Sequence, residues 1–154
     1  MNIVGVSTCT DDEFKQYIKS YKQQLFQIKI PEDTNGSIGR VILSQLDEVY
    51  AYIRVDLAEL EGAHHRAESI IRENERLKAE GRNEEERKKN ASAFLESYPV
   101  GDEGDTVNMY EYERLLSSRY TMVRAFVDVI SNKQQRLITM SGFLKVDGAL
   151  GNNY

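Results

Sequence analysis

Hydrophobic residues recur at seven-residue intervals through the C-terminal third of the chain. Neighbouring apolar positions, among them Tyr120, Val127 and Met140, widen the stripe. Such a stripe is typical of a helix that packs along another helix, so the pattern predicts one long helix from about residue 107 to residue 146. The repeating positions are Leu116, Val123, Ile130, Leu137 and Leu144.

A second long helix is predicted from about residue 40 to residue 80, where the sequence contains no proline. Apolar residues occupy most heptad a and d positions, with Asp56 and Asn74 as polar exceptions. A shorter helix should follow the break at Gly81 and end at about residue 98, before a proline. The apolar heptad positions are Leu46, Val49, Ile53, Leu60, Ala63, Ala67, Ile70 and Leu77.

A capping box begins the N-terminal helix. In the run from Thr10 to Glu13 the hydroxyl can accept from the backbone while the carboxylate reaches back, which predicts a helix over residues 11–28. Residues 1–9 are apolar and β-leaning, which is typical either of an edge strand or of an arm that packs on another subunit. Proline, Asn-Gly and a further glycine predict a linker over residues 30–39.

Together these elements predict an all-α fold, a long antiparallel helical hairpin of coiled-coil type with an additional N-terminal helix and a short N-terminal arm. The charged, glycine-bearing loop at residues 100–106 lets the last helix fold back. We divide the chain into residues 1–30, the arm and lysine-rich helix, and residues 31–154, the hairpin and oligomerisation region. Two seams of this length leave apolar surface uncovered, which favours a homo-oligomer.

Composition narrows the class of protein. With 40% hydrophobic residues, two prolines and no tryptophan in 154 residues, the chain favours helices. A single cysteine, Cys9, excludes an internal disulfide and favours the cytoplasm, that of a bacterial host cell if the protein comes from a phage. No apolar run reaches the roughly 18 to 20 residues that cross a bilayer, so we expect that the chain does not span a membrane, and no membrane is among its predicted partners.

No motif of catalysis occurs in the sequence. His64 and His65 are neighbours on a predicted helix, so their side chains should project about 100° apart and not ligate one metal. One histidine near the seam and one at the surface is the preferred interpretation. Cys9 has no base near it in sequence, and the glycine-rich phosphate and nucleophile motifs are absent. We therefore predict a non-enzymatic protein without catalytic residues, metal or cofactor.

Charge alternates along the chain even though the formal net charge is −5. Residues 14–30 hold four lysines and no acid, and residues 114–146 hold six cations and one acid. Between them, residues 44–113 hold eighteen acids and nine bases. The two basic helices favour a polyanionic partner, with pairing to the acidic middle segment as the alternative for the last helix.

The N-terminal helix combines lysines with Phe14, Tyr17 and Tyr21 at helical spacing. Lysines neutralise phosphates and aromatic rings stack on bases, as single-strand binding requires. The same pattern is typical of a surface helix with core aromatics and solvated lysines, and an amphipathic helix on anionic lipid is a further alternative. The candidate phosphate contacts are Lys15, Lys19 and Lys22 and, on the last helix, Arg124 and Arg136.

Over residues 40–146 the chain resembles the phage recombination mediator family UvsY. The likeness lies in a long helix that ends in the basic run RLKAEGR, an acidic loop with glycine, and a returning helix that closes with KQQRLITMSGFLKV. It implies a helical protein that forms a ring, binds single-stranded DNA and loads a RecA-like recombinase against a single-strand-binding protein.

The resemblance also implies residue roles. The basic run would contribute Arg76, Lys78 and Arg82 to DNA binding. The C-terminal helix would carry assembly through Leu116, Val123, Ile130, Leu137 and Leu144. The chain departs from the family in the acids around its basic run and in the extra lysine-rich helix. The leading hypothesis is an oligomeric single-stranded-DNA-binding mediator. The alternative is a coiled-coil structural or regulatory protein with protein partners only, for example in phage assembly or in binding a host factor.

Overall fold

A computed structural model describes residues 5–32, 34, 36–78, 80–101 and 104–151, while the side chains of residues 141 and 143–151 lie outside the description. About 80% of the described residues are helical, with a single two-stranded sheet among them, which confirms the predicted all-α class. The elements are α1 (Asp11–Gln27), α2 (Gly36–Leu77), α3 (Glu84–Glu96), β1 (Tyr98–Val100), β2 (Asp105–Val107) and α4 (Met109–Gly151).

The capping box predicted at the start of α1 is present. The Glu13 backbone N–H donates to the Thr10 hydroxyl at 3.3 Å, and the Thr10 N–H donates to the Glu13 carboxylate at 2.7 Å. The Thr10 hydroxyl also donates to the Glu13 carboxylate, at 2.9 Å. The two bonds that the carboxylate accepts from Thr10, from the N–H and from the hydroxyl, hold the pKa of Glu13 below its ordinary value, because both favour the ionised form. Asn83 caps α3 in a related way, since its side chain accepts from the Glu86 N–H at 2.8 Å.

The prediction of a loop over residues 100–106 is wrong at both of its ends, where the chain forms strands β1 and β2 of an antiparallel hairpin. Tyr98 pairs with Val107, and the turn is flanked by Gly101 and Gly104 at φ +73° and +80°. Strands of three residues have no room for an alternating apolar pattern, so periodicity does not reveal them. The hairpin also ends α3 at Glu96, two residues before the predicted end.

Helices α2 and α4 pack together, as the hairpin prediction required. The chain divides into two compact units, called here unit 1 (Met1–Leu57 with Met122–Tyr154) and unit 2 (Ala58–Thr121). The proposed division at residue 30 stays a prediction.

Unit 1 consists of α1, the first half of α2 and the second half of α4. Asp47 of α2 accepts a hydrogen bond from Gln134 of α4 at 2.6 Å, and Tyr21 touches both Asp56 and Phe126. Rising numbers on α2 therefore meet falling numbers on α4, so the two helices are antiparallel in this unit.

Unit 2 consists of the second half of α2, α3, the hairpin and the start of α4. His64 meets Glu113 at 2.7 Å, and the Tyr110 hydroxyl donates to Glu75 at 3.1 Å, so the helices are antiparallel here as well. Asn74, the polar heptad residue, donates to the Ile70 carbonyl at 2.8 Å and is engaged within its own helix.

Most of the predicted seam is buried. On α4, Leu116, Val123 and Ile130 are fully buried. On α2 the pattern fails at its end, where Leu77 is 55% exposed. Leu57, one residue beyond the polar exception Asp56, is buried without having been predicted. Within the described residues, no helix combines the length and apolar character that a bilayer crossing requires.

Candidate functional site

An open groove of about 650 Å³ lies on unit 1 between α4 and the C-terminal end of α1 with the residues after it. It is called here the α1–α4 groove. Leu25 and Ile28 are buried at its base, while Phe26 is 77% exposed. An apolar groove with a solvent-exposed aromatic ring can hold a flat group such as a nucleobase, which stacks on the ring. Its lining residues are Leu25, Phe26, Ile28, Lys29, Ile30, Val129, Asn132, Lys133 and Arg136.

Three of the described residues that line the groove are cations, and none of these described residues is acidic. Lys29 and Arg136 are exposed, so both can reach an anionic ligand. Lys133 is half-buried and donates to the carbonyl oxygens of Leu25 at 3.3 Å and Ile28 at 3.2 Å. Because α1 has no basic residue in its own last turn, this lysine of α4 supplies the positive charge that stabilises the end of the helix.

The predicted stacking role of the α1 aromatics is wrong for Phe14 and Tyr21, which are buried in unit 1. The Tyr21 ring packs edge-on against Phe126 with centroids 5.6 Å apart, and its hydroxyl donates to Asp56 at 2.5 Å. Burial, followed by the bond to this carboxylate, raises the pKa of Tyr21 above its ordinary value. Of the three aromatic residues, only Tyr17 is half-buried.

Sequence reasoning missed Phe26. Its ring lies outside the apolar stripe of α1, and the stripe directed attention to residues that prove to be core. The signal that could have found it is the pair Leu25-Phe26, since neighbours on a helix project about 100° apart and only one of them can face the core.

The predicted lysines of α1 are exposed. Lys15 forms an ion pair with Asp12 at 2.6 Å. The hydrogen bond and the charge of this lysine lower the pKa of Asp12. Lys19 and Lys22 are exposed as well, and none of the three lysines lines the groove.

On α4 the predicted arginines separate. Arg136 lines the groove beside Lys29 and Lys133, whereas Arg124 is exposed, has a partner of its own and is not part of the lining. The structure therefore brings one of the five phosphate contacts predicted on the two basic helices into a common site with other cations.

The basic run implied by the family resemblance lies in unit 2. Arg76, Lys78 and Arg82 are exposed. The Lys78 ammonium sits 4.7 Å from the centre of the Phe94 ring, a cation–π distance, so this lysine has an intramolecular neighbour. The role of the run in DNA binding stays a prediction.

The residues proposed for oligomerisation pack inside the chain. Leu116, Val123, Ile130 and Leu137 are almost fully buried, and the Leu144 side chain lies outside the described residues. Their role between copies stays a prediction. Apolar surface remains elsewhere on unit 1, notably on α2, where Val41, Tyr52 and Val55 are each about half exposed or more.

The histidine pair has the predicted division, with His64 half-buried and His65 exposed. His64 Nε2 lies 2.7 Å from Glu113 and 4.0 Å from Glu68. Ligand atoms of His64, His65 and Glu68 nevertheless lie within 4.8 Å of one another. The expectation that the two histidines cannot ligate one metal therefore stays a prediction.

No family model, no curated protein and no solved structure matches the chain. The resemblance to the UvsY family therefore stays a prediction, and the function has to be argued from the geometry of the described residues.

Proposed function

We propose that this protein is a non-enzymatic accessory protein that binds single-stranded DNA through the α1–α4 groove of unit 1. The observation that carries the proposal is the exposed Phe26 ring in a groove that Lys29 and Arg136 also line, with no acid among the described lining residues. The groove differs in this from the chain as a whole, whose net charge is −5.

Each part of the groove matches one part of a nucleotide. A base can stack on the Phe26 ring, a contact worth about 1–3 kcal/mol per base and tolerant of sequence. Arg136 and Lys29 can neutralise phosphates on either side of it, and Arg136 can hold two phosphate oxygens in a fork. With Lys133 engaged at the end of α1, two cations remain for the ligand.

The remainder of the proposal comes from the family resemblance. We infer that several copies assemble and act in the cytoplasm as a recombination mediator that loads a RecA-like recombinase onto DNA covered by a single-strand-binding protein. The groove supports DNA contact alone, and the loading step needs its own assay with the recombinase present.

The test is fluorescence anisotropy of a labelled oligothymidine at low and moderate salt. Binding should weaken steeply with salt, because phosphate contacts release counterions. Phe26→Ala should raise Kd about 5- to 150-fold, the equivalent of about 1–3 kcal/mol.

Arg136→Ala should weaken binding more than Arg54→Ala, a matched control that removes the same charge from an exposed position of α2. Absence of binding at low salt contradicts the proposed function. Equal effects of the two arginine variants contradict the groove as its site.

A second candidate is a coiled-coil structural or regulatory protein with protein partners only. On α2 the exposed apolar residues Val41, Tyr52 and Val55 lie on one stripe with the polar residues Gln45 and Glu48, and the five positions are four and three residues apart in turn. A stripe with this heptad spacing and exposed apolar positions favours a facing helix. The oligonucleotide titration separates the candidates, since a protein with protein partners only should not bind DNA at low salt. Light scattering tests the stripe itself, since assembly through it should depend little on salt and Val55→Glu should weaken it.

A further inference from the structure

Three metal-ligand side chains converge on one stretch of α2 in unit 2. His64, His65 and Glu68 each present a ligand atom, and these atoms lie within 4.8 Å of one another. His65 is exposed and the Glu68 side chain is 44% exposed, so both can rotate toward a shared ion. In a tetrahedral zinc site with bonds of about 2.1 Å, ligand atoms lie about 3.4 Å apart, so the required closure is about 1.4 Å at most.

A carboxylate of the other long helix lies beside this cluster and can rotate in as a fourth ligand. Glu113 of α4 places a carboxylate oxygen 2.7 Å from His64 Nε2, and Glu68 places another 4.0 Å from the same nitrogen. The His64 ring lies parallel to the Tyr120 ring, with 7° between the ring planes and 6.5 Å between the centroids. His64 Nε2 therefore faces two carboxylates that come from two different helices. A divalent cation could bind between these three groups.

We propose that His64, His65, Glu68 and Glu113 form a binding site for a divalent transition-metal ion, with Zn²⁺ as the best match. Imidazole nitrogen combined with carboxylate oxygen suits zinc, whereas calcium and magnesium prefer oxygen ligands alone. The ion would replace the direct His64–Glu113 hydrogen bond and link α2 to α4 inside unit 2. Its role is structural, because four protein ligands complete a closed tetrahedral site.

The test is isothermal titration of the full chain with Zn²⁺, supported by visible absorption of Co²⁺ as a probe of tetrahedral geometry. At free zinc about 100-fold above Kd, Tm should rise by about 5–10 °C. Glu113→Gln should raise Kd by more than the roughly 10- to 100-fold that follows loss of an outer-shell partner. Glu111→Gln, the same change at an exposed position two residues away on α4, should leave Kd unchanged.

His65→Asn provides a second variant, since His65 is exposed and its replacement should leave the fold intact by circular dichroism. His65→Asn should raise Kd at least tenfold, because loss of a direct ligand should cost at least as much as loss of an outer-shell partner, which costs about 10- to 100-fold. Failure of the wild-type protein to bind Zn²⁺ at 100 µM overturns the proposal. Wild-type affinity in Glu113→Gln overturns it as well, because the ion would then sit on the surface of α2 alone.

Discussion

Helices α1 and α3 each complete one unit, but they are attached by different means. α1 buries Phe14, Tyr21 and Leu25, and its end is held by Lys133 from α4. α3 buries only Ala91 and Leu95. Since buried apolar area dominates the stabilisation of a helix on its neighbours, α1 should be the firmly fixed element and α3 the one that opens first.

The two units also differ in charge, and the difference adds to the weaker attachment of α3 in unit 2. By sequence, unit 1 has ten acidic and ten basic residues, whereas unit 2 has fifteen acidic and ten basic residues. Self-repulsion therefore works against the unit whose short helix is already weakly anchored. An anionic ligand should favour unit 1 and a cation should favour unit 2, as the two proposed sites require.

The largest effect should come from Tyr21. Tyr21→Ala removes a fully buried ring and should lower the free energy of unfolding by about 3–5 kcal/mol in urea denaturation. Tyr21→Phe keeps the ring but removes the donor to Asp56, and should cost about 1–3 kcal/mol. A loss below 1 kcal/mol for the alanine variant would mean that α1 is not the firmly fixed helix.

Leu95→Ala should have the next largest effect. It removes the one large buried side chain of α3, at a cost of about 2–5 kcal/mol. The loss should appear first as faster hydrogen exchange of the amides of residues 84–96, because little else holds this helix. Exchange in α1 should stay unchanged, and equal acceleration in both helices would contradict the comparison.

The smallest effect should come from the caps. Thr10→Ala and Asn83→Ala should each cost about 1 kcal/mol at neutral pH. At Thr10 the cost should depend on pH. The folded pKa of Glu13 lies below its unfolded value, so the contribution is present above about pH 4.3 and is lost as pH falls through the folded pKa.

Chemical denaturation of wild type and Thr10→Ala at pH 7 and pH 3 measures this dependence. The difference between the two proteins should be smaller at pH 3, because protonation of Glu13 weakens the bond that its carboxylate accepts from the Thr10 hydroxyl. A difference that stays constant would assign the stabilisation to the bond that the hydroxyl accepts from the Glu13 N–H alone.

Local signals predicted the fold because they act over a few residues. The Thr10–Glu13 box and the Asn83 cap lie at the helix starts that the sequence indicated, and the seven-residue repeat identified the buried face of α4. The β hairpin was missed because its pairing depends on backbone hydrogen bonds that leave no side-chain pattern in three residues.

The candidate site could not be predicted from local signals. Tyr21 belongs to the buried core, where its hydroxyl donates a hydrogen bond to Asp56. The two residues are 35 positions apart in sequence, so no helical spacing rule predicts their contact. Phe26 and Arg136 line the same groove although they lie near opposite ends of the sequence, so no local pattern relates them. The charge pattern predicted Arg136 and Lys22 alike as phosphate contacts. In the structure Arg136 lines the groove together with Phe26 and other cations, whereas Lys22 is not among the lining residues.

The Lys133 contact sets an order for synthesis. Its carbonyl partner Leu25 leaves the ribosome 108 residues earlier. At about 5–20 residues per second, α1 waits roughly 5–20 s before the residue that closes its end is made. During that interval the face that carries Tyr21 has no Phe126 to cover it. Of the described helices, the first to be synthesised is therefore among the last to be completed, and a chain stalled before residue 126 should expose the face of α1 that carries Tyr21 to chaperones.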